Sequence, residues 1–250
     1  MLGLAITVKM NWMKKLAAIF LNIIFPSKCV ACEQKHNGKT SLLICGGCFE
    51  KIEISGGFCC PKCGKRIYDY RKTCQHAPQF ALAAATSYKN PAVRELIHAL
   101  KYQKLKTAGE PLAAILKIYL EKMTGDRIND FNNFIIIPIP LHPKKERARG
   151  FNQNLLVLKK LSEIIPLPEI EKNALGKTRN TSSQIELADY DKRAENVSGS
   201  FGILNKEKIA GKNILLFDDV YTSGATMKEA ARVLKENGAR KIIGFVIAKA

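Results

Sequence analysis

Cysteine is absent from most of this 250-residue sequence: all eight cysteines lie between Cys29 and Cys74. A secreted protein stabilised by disulfides would have to place every bridge in that one short segment. A cytosolic protein with a small metal-binding domain has this distribution naturally. The pattern therefore predicts a cytoplasmic protein with a metal-binding segment in its N-terminal third.

Acidic residues are also scarce, with 22 Asp and Glu against 40 Lys and Arg, which gives a net charge of +18. Such a surplus favours polyanionic partners: nucleic acid, ligands with several phosphates, or an anionic membrane face. The alternative is a lysine-rich surface that is simply solvated. Because 46% of the residues are hydrophobic, the chain can bury a core, which excludes wholesale disorder.

Long apolar runs are missing too, since none reaches the roughly 18–20 residues that a membrane-spanning helix requires. Residues 16–25 resemble the apolar part of a secretion signal, but Pro26 and Lys28 make a poor cleavage context. Apolar side chains at residues 12–24 recur at helical spacing, which predicts an amphipathic helix over residues 1–27. By default it packs on the protein body; a partner or peripheral contact with the inner face of the membrane stays open.

The remaining chain divides by composition into a metal-binding domain at residues 28–78 and a larger domain at residues 79–250. In the larger domain, apolar runs predict strands over residues 80–88, 134–140, 213–217 and 241–248. Helices are predicted from Pro91, from about Gly109, over 151–165 and over 225–237. Buried strands that alternate with helices indicate an α/β fold with a parallel sheet.

The metal-binding segment contains a pair of knuckles that are spaced like a zinc site. Their cysteines are Cys29, Cys32, Cys45 and Cys48. Each knuckle places two thiolates on one tight turn, and two turns supply a closed tetrahedral site for Zn²⁺. A redox or disulfide role is the alternative.

A second metal site is less regular. Its candidate ligands are Cys60, Cys63, Cys74 and His76, and Cys59 is a spare thiol. Three sulfurs and one nitrogen form an acceptable zinc site. The alternative is a degenerate knuckle that holds no metal.

The string ILLFDDVYTSGAT, residues 214–226, has an apolar run followed directly by two carboxylates, Asp218 and Asp219. We expect both at the carboxyl edge of a parallel sheet, where α/β proteins bind ligands. The small and hydroxyl residues that follow predict a phosphate-binding loop at a helix N-terminus. Carboxylates beside a phosphate indicate a sugar phosphate, whose hydroxyls or bound cation they contact.

Two alternatives compete with this interpretation. A nucleotide triphosphatase also has an acid at a strand end, but it needs a G-x-x-x-x-G-K-[ST] loop, which the sequence lacks. The other alternative is an ordinary strand end with a helix cap.

A basic segment follows the strand predicted at residues 134–140. Lys144, Lys145, Arg147 and Arg149 lie just beyond it, and Gly150 allows close approach of the backbone. Arginine can bind pyrophosphate oxygens in a bidentate manner, so this segment is a candidate pyrophosphate site. The alternative is a solvated basic loop.

Several motifs together resemble a known family. The string at 214–226 closely resembles the signature of type I phosphoribosyltransferases. It is preceded by a cysteine double knuckle, RELIHALKYQKLKTAG (94–109), PIPLHPKKERARGFNQN (138–154), KTRNTSSQ (177–184) and KRAENVSGSF (192–201). That order resembles the ComF family of competence-associated proteins over roughly residues 28–249. One departure is Ala77, which stands where the family usually has the last cysteine of its second knuckle.

The resemblance implies a Rossmann-like phosphoribosyltransferase domain behind a zinc ribbon, with phosphoribosyl pyrophosphate (PRPP) as ligand. It implies that Asp218 and Asp219 face the ribose hydroxyls, partly through Mg²⁺. The residues expected to wrap the 5′-phosphate are Thr222, Ser223, Gly224, Ala225 and Thr226. Lys177, Arg179 and Gln184 correspond to a hood over the ligand.

Two functions follow from the resemblance, and the sequence leaves both open. One is a PRPP-binding protein that also binds single-stranded DNA and acts with the DNA-uptake machinery in natural transformation. The other is an active phosphoribosyltransferase that displaces pyrophosphate from ribose with a nitrogenous acceptor. No residue is assigned to an acceptor base, and no catalytic residue is assigned.

Overall fold

The structure is a computed structural model that describes residues 27–36, 43–67, 74–76, 78–124, 131, 133–179 and 197–250. Its strands are β1 (Ser27–Lys28), β2 (Lys35–His36), β3 (Phe58–Cys59), β4 (Arg66–Ile67), β5 (Ala81–Ser87), β6 (Phe134–Pro138), β7 (Leu175–Lys177), β8 (Phe201–Ile203), β9 (Asn213–Tyr221) and β10 (Lys241–Lys249). Its α-helices are α1 (Gly46–Glu50), α2 (Pro91–Lys101), α3 (Gly109–Thr124), α4 (Pro143–Arg149), α5 (Gln153–Ser162) and α6 (Ala225–Glu236). The helix predicted over residues 1–27 lies outside the described residues except for Ser27, and so do Ala77 and Gln184.

The central sheet has six strands in the order β4-β3-β5-β10-β9-β6. The four strands β5, β10, β9 and β6 run parallel, with Phe245 of β10 opposite Ala83 on one side and Phe217 on the other. Parallel strands are buried on both faces, which explains why these segments are almost continuously apolar. The predicted α/β class with a parallel sheet is confirmed.

Helices cover both faces of this sheet. On one face, α2, α3 and α5 pack through Leu96, Leu116 and Leu158 against Phe217 and Phe245. On the other face, α6 packs through residues such as Ala230 and Leu234 against the alternate strand residues. Consecutive residues of β9 therefore point into different cores, so Asp218 and Asp219 start from opposite faces of the strand.

The metal-binding segment is joined to the same sheet. Strand β3 pairs antiparallel with β5, with Phe58 opposite Ala83, and β4 extends the sheet by one more strand. The Tyr119 hydroxyl donates to the Gly57 carbonyl at 2.7 Å, and the Thr86 hydroxyl donates to the Glu53 carbonyl at 2.7 Å. These bonds fix the segment onto the larger domain, and a boundary near residue 78 stays a prediction.

Two elements differ from the sequence-based expectation. Strand β9 continues through both acids to Tyr221, because β10 provides pairing partners as far as Lys249. The basic segment expected as a loop is the short helix α4, which begins at Pro143 after the His142 cap and ends at Gly150. Within the described parts of the chain, no helix is both long enough and apolar enough to cross a membrane.

Candidate functional site

A cleft of about 220 Å³ opens at the carboxyl edge of the parallel strands. Its walls come from α2, from the α4–α5 region, from the end of β7 and from the β9–α6 connection. Among its polar lining residues are Tyr88, Lys101, Tyr102, Lys145, Arg149, Gln153, Asn154, Lys177, Asp218, Asp219, Thr222 and Thr226. The site predicted from the string at 214–226 is thus the floor of a real concavity.

Asp219 is a buried carboxylate with two donors. Only 3% of the residue is exposed. Lys101, at the end of α2, approaches its Oδ1 at 2.8 Å, and Gln153, at the start of α5, donates to its Oδ2 at 3.1 Å. Burial lowers the pKa of Lys101, but attraction to Asp219 outweighs this effect and holds that pKa above its ordinary value. The Lys101 ammonium therefore stays charged beside Asp219.

Asp218 lies in a different electrostatic environment. Its Oδ1 accepts hydrogen bonds from the Asn154 side chain at 3.0 Å and from the Asp219 backbone N–H at 3.0 Å. Burial and the neighbouring Asp219 carboxylate raise the pKa of Asp218 to about 7, although Lys101 and these donors oppose the shift. Asp218 therefore changes its protonation near neutral pH.

The buried amide of Asn154 connects the acids to the end of β6. The residue is 1% exposed, and its Nδ2 donates both to Asp218 and to the Ile139 carbonyl, the latter at 3.0 Å. Helix α5 begins beside it because the Asn152 side chain accepts from the N–H groups of Asn154 and Leu155. The start of α5 therefore holds its amides against the acidic pair.

The connection from β9 to α6 has the geometry of a phosphate-binding loop. Thr222 and Thr226 line the cleft, and α6 begins at Ala225 with its first N–H groups on that side. Gly224 adopts a left-handed φ of 76°, and a Cβ there would overlap the phenol ring of Tyr221. The helix dipole and the backbone N–H groups of the first turn make such a terminus favourable for an anion.

Cations surround the acids, but they come only partly from the predicted set. Lys145, Arg149 and Lys177 line the cleft, whereas Lys144 and Arg147 are exposed and are not among its described lining residues. Burial, with the charge of Lys145, lowers the pKa of Lys177 to about 8, and Asp218 opposes this shift. The Lys145 and Lys177 ammonium groups repel each other, and a negatively charged ligand between them would relieve that repulsion.

The structure brings together most of the predicted ligand-binding residues. Asp218, Asp219, Thr222, Thr226 and Arg149 line one cleft, and the residues between the two threonines form its loop. Gly150 has a different position, because it ends α4 in a left-handed conformation with φ 87° and is not among the described lining residues.

Three important residues were missed by sequence reasoning: Lys101, Gln153 and Asn154. The two amides stand directly after the basic segment in the string GFNQN, which was an available signal. Lys101 had no local signal, because it reaches Asp219 through tertiary packing across 118 positions.

The four cysteines of the first knuckle pair converge. Their sulfur atoms lie within 4.8 Å of one another, and Cys32 Sγ is 3.8 Å from Cys45 Sγ. Zinc–sulfur bonds of about 2.3 Å at tetrahedral angles place sulfurs about 3.8 Å apart, so the group fits Zn²⁺. Burial raises the pKa of the Cys29 thiol, but backbone N–H donors outweigh it and bring the pKa to about 6, which favours the thiolate.

The second set converges as well. Cys63 Sγ lies 3.7 Å from Cys74 Sγ, and Cys74 Sγ lies 3.2 Å from Nδ1 of His76. With Cys60, these residues place four donor atoms within 4.8 Å of one another, while Cys59 is outside the group. His76 thus supplies the fourth donor that Ala77 cannot, and the set fits a three-sulfur, one-nitrogen zinc site.

Comparison with known proteins finds a matching family for the metal-binding segment and another for the C-terminal part of the larger domain. Residues 20–77 match the double zinc ribbon domain family, and residues 156–250 match the phosphoribosyl transferase domain family. The chain is 26% identical to Competence protein F of Haemophilus influenzae over 90% of this chain and 98% of that protein. It is 26% identical to Competence protein ComFC of Bacillus subtilis over 78% of this chain and 79% of that protein.

A third relative has a different name. DNA utilization protein YhgH of Escherichia coli K12 is 27% identical over 73% of this chain and 80% of that protein. The two domains occur in the expected order, and relatives with competence names span most of the chain. The chain therefore has a double zinc ribbon domain followed by a phosphoribosyltransferase domain, and it is similar over most of its length to the ComF competence proteins.

Proposed function

We propose that the cleft binds PRPP. The observation that carries the proposal is the convergence of three groups in one cavity: two adjacent carboxylates, a phosphate-type loop and several cationic side chains. Carboxylates suit ribose hydroxyls, the loop at Thr222–Thr226 suits the 5′-phosphate, and Lys145 and Arg149 suit pyrophosphate. A simple phosphate would not need the acids, and a neutral sugar would not need the cations.

We propose that Mg²⁺ enters with the ligand. In the free protein both oxygens of Asp219 already have donors, and Oδ1 of Asp218 has two. Mg²⁺ prefers about six oxygen ligands and usually takes several from substrate phosphates and water. Two adjacent carboxylates already engaged in this way are a poor cage for the ion alone, so metal binding depends on the pyrophosphate of PRPP.

Thermal unfolding tests this proposal. A ligand that binds only the folded state raises the melting temperature. PRPP with Mg²⁺ is expected to raise it more than ribose 5-phosphate or pyrophosphate alone, because only PRPP reaches every part of the cleft. Equal shifts from pyrophosphate and PRPP would show that the ribose part of the site is not used.

A second function, binding of single-stranded DNA, has its own supporting observation. The Lys106 ammonium lies 5.5 Å from the centre of the Phe151 ring. The basic residues 101–106 at and after the end of α2 therefore lie beside residue 151, which closely follows the basic helix α4. Tyr102, 49% exposed, lies in the same region beside the cleft. Cations interleaved with accessible aromatic rings suit single strands. The names of the relatives fit a role in DNA uptake, at the cytoplasmic side of the membrane.

Charge reversal separates DNA binding from PRPP binding. Lys144→Glu with Arg147→Glu changes two exposed cations outside the cleft lining and is expected to weaken single-strand binding at least tenfold at low salt. PRPP binding should persist. The matched control is Lys212→Glu with Arg240→Glu, two exposed cations at the opposite edge of the sheet. Equal losses in both double variants would show only a non-specific effect of net charge.

Transfer of phosphoribose to a nitrogenous acceptor is the enzymatic alternative. The cleft would hold PRPP while pyrophosphate leaves C1 of the ribose, and catalysis would come from positioning and charge stabilisation. Release of pyrophosphate in the presence of candidate bases, lost in Asp218→Asn with Asp219→Asn, would establish this reaction. Binding of PRPP without any release would establish the binding protein.

A further inference from the structure

The phosphate-type loop has the second metal knuckle directly behind it. Tyr221, the last residue of β9, is 4% exposed and its hydroxyl donates to the Pro61 carbonyl at 3.3 Å. Pro61 lies between Cys60 and Cys63, two ligands of the second metal set. This hydrogen bond connects the zinc-binding turn to the strand from which the loop starts.

The same tyrosine also supports the loop from beneath. The space that a Cβ would take at Gly224 is filled by the Tyr221 ring and hydroxyl. The Tyr221 backbone carbonyl accepts from Ala250 N–H at 3.0 Å, which fixes the end of the strand. The position of this ring therefore sets where Gly224 and the first N–H groups of α6 lie.

We propose that Tyr221 is a positioning residue that ties the phosphate loop to the second metal knuckle. The inference deepens the proposed function, since the loop it acts on is the proposed 5′-phosphate site. When the four ligands hold a metal, the turn at Pro61 is closed and presents its carbonyl at a fixed place. Without the metal a small site of this kind loses its fold, so Tyr221 loses its acceptor and the loop loses its support.

The arrangement predicts a difference between two hydroxyls that bridge the same segments. Tyr221 donates to Pro61 and lies in the core on the α6 side of the sheet, whereas Tyr119 donates to Gly57 and lies in the core on the other side. Tyr221→Phe should weaken binding of ribose 5-phosphate by roughly three- to tenfold, the range expected for one lost hydrogen bond. Tyr119→Phe, the matched control, removes a similar bond and should leave that affinity unchanged.

Amide hydrogen exchange gives a readout that needs no ligand. Exchange in residues 222–228 should rise in Tyr221→Phe and stay unchanged in Tyr119→Phe. This separates the inference from the proposed function: a protein that binds no sugar phosphate can still show the exchange difference. Unchanged exchange and unchanged affinity in Tyr221→Phe would overturn the inference, even if PRPP binds.

Removal of one metal ligand tests the other end of the connection. Cys74→Ser, with loss of about one zinc per chain verified by metal analysis, should speed exchange in the loop as Tyr221→Phe does. His76→Ala serves the same purpose if Cys74→Ser does not fold. Combined with Tyr221→Phe, either variant should add little, because the connection is already broken. Effects that multiply in the double variant would show that metal and tyrosine act independently, which contradicts the proposal.

Discussion

At the residue scale, the two adjacent acids of the cleft are compensated differently. Asp219 has a lysine at 2.8 Å and an amide at 3.1 Å. Asp218 has only neutral donors to its Oδ1, and its pKa is raised to about 7 by burial and by Asp219. Asp218 is therefore the acid of this pair whose charge a bound ligand or cation can change near neutral pH.

The raised pKa makes Asp218 a source of instability at high pH. In the unfolded chain its pKa is about 3.9, so between roughly pH 4 and pH 7 the folded state holds the extra proton. Stability contributed by this group therefore falls as pH rises through that window. Asp218→Asn keeps an acceptor for Asn154 and should raise the free energy of unfolding at pH 8 by about 1–2 kcal/mol, with allowance for screening by water in the cleft.

Chemical denaturation at pH 5 and pH 8 measures this effect. The difference between wild type and Asp218→Asn should be larger at pH 8 than at pH 5. A variant that is less stable than wild type at both pH values would show that the carboxylate is not strained in the folded protein.

Loss of the buried ion pair between Lys101 and Asp219 should destabilise the protein more than loss of an exposed ion pair. Lys101→Met keeps the apolar stem but leaves the buried Asp219 carboxylate with Gln153 as its one side-chain donor in the described part of the chain, which should cost about 1–3 kcal/mol of stability. Lys117→Met removes the exposed pair with Glu121 and should cost less than about 0.5 kcal/mol. Equal urea midpoints for the two variants would contradict the assigned burial of Asp219.

At the element scale, the turn from β9 into α6 depends on Gly224, a position that no residue with a side chain can fill without a shift of the loop. Gly224 has φ 76°, and the Tyr221 ring occupies the place of a Cβ. Gly211, before β9, has a similar φ of 72° but no atom within 4 Å of its Cβ position. The two glycines share the left-handed backbone conformation, and they differ in what a Cβ would meet.

This pair allows a matched substitution. Gly211→Ala should cost about 1 kcal/mol from the left-handed conformation alone and leave ligand binding intact. Gly224→Ala should cost more and abolish detectable PRPP binding, because the loop must shift. Calorimetric unfolding and ligand titration of both variants check this, and retained binding in Gly224→Ala would mean that the loop does not hold the phosphate.

Element boundaries show what local sequence can and cannot predict. Apolar runs identified β5, β6 and β10, and Pro91 correctly marked the start of α2. The end of β9 was placed too early at residue 217, because carboxylates are poor strand residues and their pairing with β10 is non-local. Helix α4 was missed because seven mostly basic residues have no apolar periodicity.

At the scale of the whole molecule, the zinc ribbon and the larger domain share one sheet. Because β3 pairs with β5, loss of metal removes a neighbour from the edge of the parallel strands. Structural zinc supplies roughly 10 kcal/mol or more to small sites at neutral pH. The purified protein is expected to contain two zinc ions per chain, one for each four-donor set.

Removal of zinc by a chelator should therefore unfold the segments nearest the metal sites before the more distant strands. Exchange protection should fall first in residues 43–67, then in β5, and last in β6 at the far edge. Metal analysis together with hydrogen exchange during chelator treatment measures both claims. Uniform loss across all strands, or a zinc content well below two, would contradict this account of the ribbon.

Much of the site was predictable, since its chemistry is concentrated in two short strings. Residues 218–226 contain, one after another, the two carboxylates, the loop and the start of the helix, so all three were predictable from one string. The spacing of the first four cysteines likewise predicted the first metal site. The contacts of Lys101 with Asp219 and of Tyr221 with Pro61 were not predictable, because tertiary packing alone brings these residues together. The partners that tune the site come from distant segments, so no local pattern reveals them.

The central claim is that this cleft binds PRPP through its acidic pair. Titration calorimetry with PRPP and Mg²⁺ tests it on three proteins: wild type, Asp218→Asn with Asp219→Asn, and the surface control Lys212→Glu with Arg240→Glu. We expect saturable binding of one PRPP per chain to wild type and to the control, and loss of binding in the acidic-pair variant. Absence of binding to wild type, or equal binding to the acidic-pair variant, would contradict it.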